Sequence, residues 1–386
     1  MRTTTFKDCN ILRLLVFVIL PLCAIVYGAS HPSGYYAGLI NLAGIYIILV
    51  ASLNLVNGFS GMFSMGHAAF MAIGAYISAF FTLTPAQKMA STPGLPEWLI
   101  NANLPFVVAL IIGGACAVVV ALIIGYPVLR FKGHYLSIVT LGLIVIVRAV
   151  LDNEGEYTNG ARGITGLPPK SNTVVIFIIM AIVLYFLFRL IRSQYGRGLI
   201  AMRDDDVAAQ TLGINLASKK LSAFCISAFI TGMAGGLFGH MQSVISGKFY
   251  YFDLSFRVVQ TSIIGGMFSL SGAVPGGIIM AYLPEVLAPL ETGVKLFGHQ
   301  LPEMYGASNL IMAIILILII IFRRQGLMGE HEFIVESMFS KDTYTSLFKK
   351  EEYLNIGRAF RDLFTGKWRK SKKALPEDID NTPPVV

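Results

Sequence analysis

The chain has 386 residues, of which 55% are hydrophobic and 13% charged, with a formal net charge of +8 and a mean hydropathy of +0.68. Soluble domains carry about 25% charged residues, so the composition excludes a soluble globular chain and predicts an all-α, polytopic membrane protein. The basic balance is of the kind that holds loops on the cytoplasmic side of a bilayer, and it does not point to a nucleic-acid partner.

In chain order, Arg2, Lys7 and Arg13 precede LLVFVILPLCAIVYG, read as a retained first transmembrane helix over about 14–30. The second helix is predicted from Ala37 to Val56 and, after a Gly-rich break, the third from Met62 to Leu83. A Pro-containing, helix-poor loop is expected at 85–103, then helices over 104–129 and 134–151 joined by the link RFKG, a polar loop at 152–172 and a helix over 173–191. After the polar stretch 189–220, helices follow over 220–244, on either side of Gly272, and over 306–322. This gives about ten spans.

Charge orients them. Of the 30 Lys and Arg residues, 23 fall on the N-terminus, 130–133, 189–220 and 323–373, and seven fall on the opposite segments. Cytoplasmic loops collect basic residues, so both termini and the 189–220 stretch are placed in the cytoplasm. Three units result: residues 1–33 with the first helix, a core over 34–330 with a cytoplasmic loop at 192–219, and a tail over 331–386. In the tail, ten basic residues at 341–373 interleave with aromatic and aliphatic ones, a pattern that suits a helix lying on anionic lipid. The end, PEDIDNTPPVV, reads as disordered.

The stretch Arg189–Lys220 carries six basic and three acidic residues between two apolar runs. Within it VAAQTLG reads as a short helix with an aliphatic edge of Val207, Leu212 and Ile214, ended by Gly213. It is either a docking helix for another protein or an ordinary solvated loop. The segment 54–76 is dense in glycine and small residues, which lets backbones approach closely. Its candidate path residues are Asn54, Gly58, Gly61, Ser64, Gly66 and His67, where His67 is either a functional ionisable group or a neutral imidazole bonded across helices. Arg148 is a further path candidate or a snorkelling side chain. Glu285, between two prolines, is assigned to a helix break, and Asp253 with Arg257 to an outer ion pair. The cysteines Cys9, Cys23, Cys116 and Cys225 stand singly, without metal or disulfide spacing. No phosphate loop, HExxH or GxSxG motif is present, so neither a metal, a cofactor nor catalysis is assigned to this chain.

Six blocks in order, NLVNGFSGMFSMGHAAFMAIGAY, GHYLSIVTLGLIVIVR, TNGARGITGLP, GRGLIAMRDDDVAAQTLGIN, KLSAFCISAFITGMAGGL and FRRQGLMG, resemble the membrane subunit of branched-chain amino-acid ABC importers of the LivM type, over roughly residues 35–330. The resemblance implies a non-catalytic permease in a prokaryotic cytoplasmic membrane. Its implied partners are two ATPase subunits, a LivH-like sister permease and an extracytoplasmic substrate-binding protein docking on the loops 85–103, 152–172 and 245–257. It also implies an ATPase-coupling segment made of Arg203, Asp204, Asp205, Asp206, Val207, Ala208, Ala209, Leu212, Gly213 and Ile214. Here Ala208, Ala209 and Gly213 match the EAA---G pattern, and Val207 replaces its leading Glu. Val145 stands where the family often carries a Glu, so Arg148 needs another partner. Urea or short-amide permeases are the nearest competing family, and a stand-alone carrier is the competing class.

Overall fold

A computed structural model describes residues 34–130, 135–291, 295–296, 299–300, 306–322 and 326–327. The first helix over 14–30, most of the RFKG link and the basic tail lie outside the described residues. Helix α1, Tyr35–Leu53, is carried on by a π-helical turn, Asn54–Phe59, and after a non-helical run α2 spans His67–Thr82. Next come α3, Pro85–Ser91, α4, Glu97–Asn101, and α5, Phe106–Val128. They are followed by α6, Tyr135–Asn153, α7, Gly155–Thr158, the strand β1, Ile164–Thr165, and α8, Thr173–Arg192. The polar stretch forms α9, Gln194–Asp204, and α10, Asp206–Thr211, before α11, Leu216–Gln242. The strand β2, Val244–Ile245, then leads to α12, Phe252–Gly265, and α13, Ala273–Glu291. A two-residue hairpin, β3, Lys295–Leu296, and β4, His299–Gln300, precedes α14, Ala307–Phe322. Among the described residues, five helices are long and apolar enough to cross a membrane, those over Tyr35–Phe59, Phe106–Val128, Tyr135–Asn153, Thr173–Arg192 and Leu216–Gln242.

Several elements depart from the sequence reading. The third predicted helix starts five residues later than expected, at His67 instead of Met62. Gly61 takes a left-handed backbone, φ +68, which the residues of a right-handed helix do not adopt. The loop expected to be helix-poor holds α3 and α4 instead, because Pro85 occupies the first helical position and Thr84 with Gln87 forms a capping box. The outer segment 245–257 turns helical at Phe252. No helix break falls at Glu285: α13 runs through Pro284 and Glu285 to Glu291. Neighbouring helices supply enough packing for a membrane helix to carry proline without breaking, and the Glu285 carboxylate accepts a hydrogen bond from the Tyr35 hydroxyl.

The bundle is organised around α11, which packs against α1, α2 and α5. Between membrane helices, packing has to supply what hydrophobic exclusion supplies in water, and small residues allow it by letting backbones meet. A Cβ added at Gly74 would stand 2.0 Å from the Gly232 carbonyl oxygen, and one at Gly235 would stand 1.9 Å from that of Met71. These two contacts fix where α2 crosses α11. Both ends of α2 are then pinned by histidines, His67 to Ser227 and Thr82 to His240, so the two helices run parallel.

Gly235→Ala therefore pushes backbone against backbone, and we expect it to destabilise the bundle by more than the 1–3 kcal/mol of ordinary overpacking. Gly38→Ala meets nothing within 4 Å and should be neutral or stabilising. Thermal unfolding of the two purified variants in detergent measures the difference.

Candidate functional site

The polar segment 189–220 is built from local rules. The Ser193 hydroxyl accepts from Gly196 N at 3.3 Å and opens α9, and Tyr195 ties α9 to α11 through a hydroxyl contact of 2.6 Å with Ser222. Burial pushes the Tyr195 phenol above its ordinary value. Asp205 breaks α9 from α10. Its carboxylate caps α10 by accepting from Val207 N at 2.8 Å and Ala208 N at 3.0 Å. The end of α10 is a Schellman motif: Gly213 sits at φ +80, Gly213 N donates to Gln210 O and Ile214 N to Ala209 O. Ala209 is buried beneath the turn, while Val207 and Leu212 are 71% and 78% exposed.

The acidic run is satisfied within the chain. Asp204 pairs with Arg203 at 2.8 Å, Asp205 is the cap, and Asp206 pairs with Lys220 at 3.2 Å. Arg203 turns away from the exposed edge. Its Nη1 donates to Gly58 O at 3.4 Å, and its guanidinium carbon lies 5.1 Å from the Phe268 ring centroid.

The candidate path residues between Asn54 and His67 gather together, and of them Asn54, Gly58, Ser64, Gly66 and His67 are buried while Gly61 is exposed. Asn54 donates to Ser269 O at 3.0 Å and accepts from the Ser262 hydroxyl at 2.5 Å. Asn57 clasps Ser64, accepting from its N–H at 2.9 Å and donating to its carbonyl at 3.4 Å. Phe63 O accepts from Ser137 at 2.6 Å, and Met65 N donates to Thr140 Oγ1 at 3.1 Å. Gly66 abuts the same threonine, where a Cβ would stand 2.9 Å from Thr140 Cβ.

His67 is 3% exposed, with Nε2 at 3.0 Å from Ser227 Oγ. Ser227 gives its one proton to Ser52 O at 2.8 Å, so Nε2 carries the hydrogen and the ring is a neutral clasp across three helices. Its Nδ1 is buried without a partner among the described residues. Arg148 lies apart from this group, roughly 12 Å further along α6 than Thr140. Its Nε meets Asp152 at 3.2 Å and its guanidinium stacks 4.0 Å from the Tyr251 centroid, the partners that take the place of a Glu at 145. Asp253 and Arg257 pair at 3.0 Å.

The loops 85–103, 152–172 and 245–257, expected on the outer side, form one cap. β1 pairs antiparallel with β2, Ile164 opposite Ile245, Gly94 N donates to Glu156 O at 3.0 Å, and Gln87 donates to Gly166 O at 2.9 Å. Inside the cap, Lys88 is fully buried and its ammonium donates to the carbonyls of Leu99, Ile100 and Ala102. Burial lowers its proton affinity, and the three carbonyls at the end of α4 supply the counter-dipole. Trp98 and Met89 stand out from this cap, 68% and 62% exposed.

Sequence reasoning missed Lys88, Asp152, Phe268 and the Ser52–Ser227–Thr231 cluster. The spacing of Ser227 and Thr231, four apart in an otherwise apolar helix, was a usable signal for the last.

Apolar helices that pack by glycine, an irregular largely buried backbone segment between two of them, and polar loops at the ends define a multi-pass helical membrane protein of the permease kind. The chain belongs to the family described as the permease component of the branched-chain amino acid transport system, which matches residues 35–323. It is 30% identical over 321 residues to the high-affinity branched-chain amino acid transport permease LivM of Escherichia coli K12, covering 74% of this chain and 68% of the relative. Against LivH of the same organism the identity is 26% over 314 residues, covering 76% and 94%. Against BraD of Pseudomonas aeruginosa it is 23% over 302 residues, covering 74% and 92%. No solved structure matches the chain.

Two substitutions test the site's construction. Asn57→Ala leaves the buried Ser64 N–H without its acceptor and should cost about 1–3 kcal/mol, read as a lowered melting temperature in detergent. Lys88→Met strands three carbonyls and should open the 85–103 loop to proteases while the rest of the chain stays resistant. Protection of that loop equal to wild type would contradict the role given to Lys88.

Proposed function

We propose that the chain is the permease subunit of an ABC importer for branched-chain amino acids, forming half of the translocation path and coupling it to two ATPase subunits. The observation that carries this reading is the turn between Asp205 and Gly213. It is capped at one end by a carboxylate and closed at the other by a left-handed glycine, and it holds Val207 and Leu212 out into solvent. Two aliphatic side chains on so short and rigid a turn suit a groove on a partner, where a few buried apolar anchors carry most of the binding energy. Because the three aspartates are already paired within the chain, the docking contact is chiefly apolar, which accommodates Val207 at the position where the family has a Glu.

Similarity to proteins named LivM and LivH supports a sister permease of related fold as the other half of the path. The gathered outer cap, with Trp98 and Met89 exposed, offers the extracytoplasmic substrate-binding protein one continuous surface. Ten spans with both termini in the cytoplasm suit the distribution of basic residues, and the cytoplasmic membrane of a prokaryote is the corresponding location. The permease itself performs no chemistry: movement of the docked turn is converted into alternating access.

Gly213→Pro forces φ near −65° on a residue that sits at +80, so it should dismantle the turn. The expected result is a chain that inserts in the membrane, loses its co-purifying ATPases and transports nothing. A variant that transports normally would remove the turn from the coupling role.

A further inference from the structure

The segment Asn54–Gly66 is attached to two different groups of helices. On one side, Asn54 bonds α12 through Ser262 and the turn after it through Gly266 and Ser269, and Gly58 is pressed onto that turn, where a Cβ would stand 1.7 Å from Met267 O. On the other side, Phe63, Met65 and Gly66 are fixed to α6, and His67 to α11. The Asn57–Ser64 clasp holds the two sides together. One cytoplasmic side chain enters this junction. Arg203 bonds Gly58 O and stacks on Phe268, and Gly61, at φ +68, lies so close that a Cβ would stand 2.9 Å from Arg203 Cγ and 3.3 Å from its Cα. The guanidinium is held in orientation by Asp204, which accepts from Nε at 2.9 Å and from Nη2 at 2.8 Å. Asp205, the cap of the docking turn, follows two residues after Arg203.

From this arrangement we infer that Arg203 is a positioning residue that transmits the movement of the docking turn to Asn54–Gly66, and that this segment is the cytoplasmic gate of the path. Arg203 then belongs to the permease's own interior and not to the surface that meets the ATPase. A shift of α9 drives its side chain against Gly58, Gly61 and the Met267–Phe268 turn together, so the two helix groups separate at the Asn57–Ser64 clasp. A planar fork stacked on a ring transmits direction as well as charge, which a lysine does not do.

The inference rests on the importer reading, and one experiment separates the two. The full chain is purified with its ATPases, sister permease and binding protein, and leucine uptake into proteoliposomes is measured per ATP hydrolysed. Arg203→Ala should recover ATPases in undiminished amount while uptake per ATP falls at least tenfold, and Arg203→Lys should restore little of it. Gly61→Ala should reproduce the loss from the receiving side. Phe268→Leu should show it at smaller size, and combined with Arg203→Ala it should add nothing. Full coupling in Arg203→Ala and Gly61→Ala would overturn the inference. So would loss of the ATPases from Arg203→Ala, because that result makes Arg203 a docking residue. A wild-type chain that recovers no ATPase sinks the importer reading and this inference with it.

Discussion

A backbone that leaves the helical state inside a bilayer must find partners for its N–H and C=O groups within the protein, since lipid offers none. The run from Asn54 to Gly66, first a π-helical turn and then non-helical, meets that requirement in part with its own side chains and with those of neighbouring elements. Asn57 serves it from within, Ser137 and Thr140 from α6, and Arg203 from the cytoplasm, while Asn54 secures its entry on the turn after α12. The rest of the bundle supports this arrangement. The glycine contacts of α11 with α2 bring His67 to Ser227, which fixes where the run ends and the next helix begins.

In the importer proposed above, specificity and energy enter from opposite faces. The outer cap is organised by a buried ammonium and a two-residue strand pairing, and the inner face by a capped turn. Both are rigid and small, as suits surfaces that must bind a partner and transmit its position.

Much of this was legible in the sequence. The helices over 106–128 and 173–192 match their predicted ranges closely, because uninterrupted apolar runs leave little choice of boundary. The turn at Gly213 was legible for the same local reason: glycine after an amphipathic stretch ends a helix. What escaped depends on partners distant in the chain. Nothing around Lys88 says that it will be buried, because its three acceptors arise from the end of a helix eleven to fourteen residues later. The passage of α13 through Pro284 depends on neighbours that no local pattern names. The acidic run 204–206 looked like a surface for a partner, and its members turned out to serve a salt bridge, a cap and a second salt bridge within the chain.

Helix α11, capped by Asn215, begins at Leu216, just beyond the turn closed by Gly213, and ends beside the strand β2 that closes the cap of loops. Its 27 residues make a rod of roughly 40 Å at 1.5 Å per residue, without a proline anywhere in it. The rod's length is therefore quantised: adding or removing one residue would rotate its outer end by about 100° relative to its inner end. Such a change would aim β2 away from β1 while leaving every glycine contact below the insertion intact. The two faces of the protein are in this sense phase-locked through the register of this one helix.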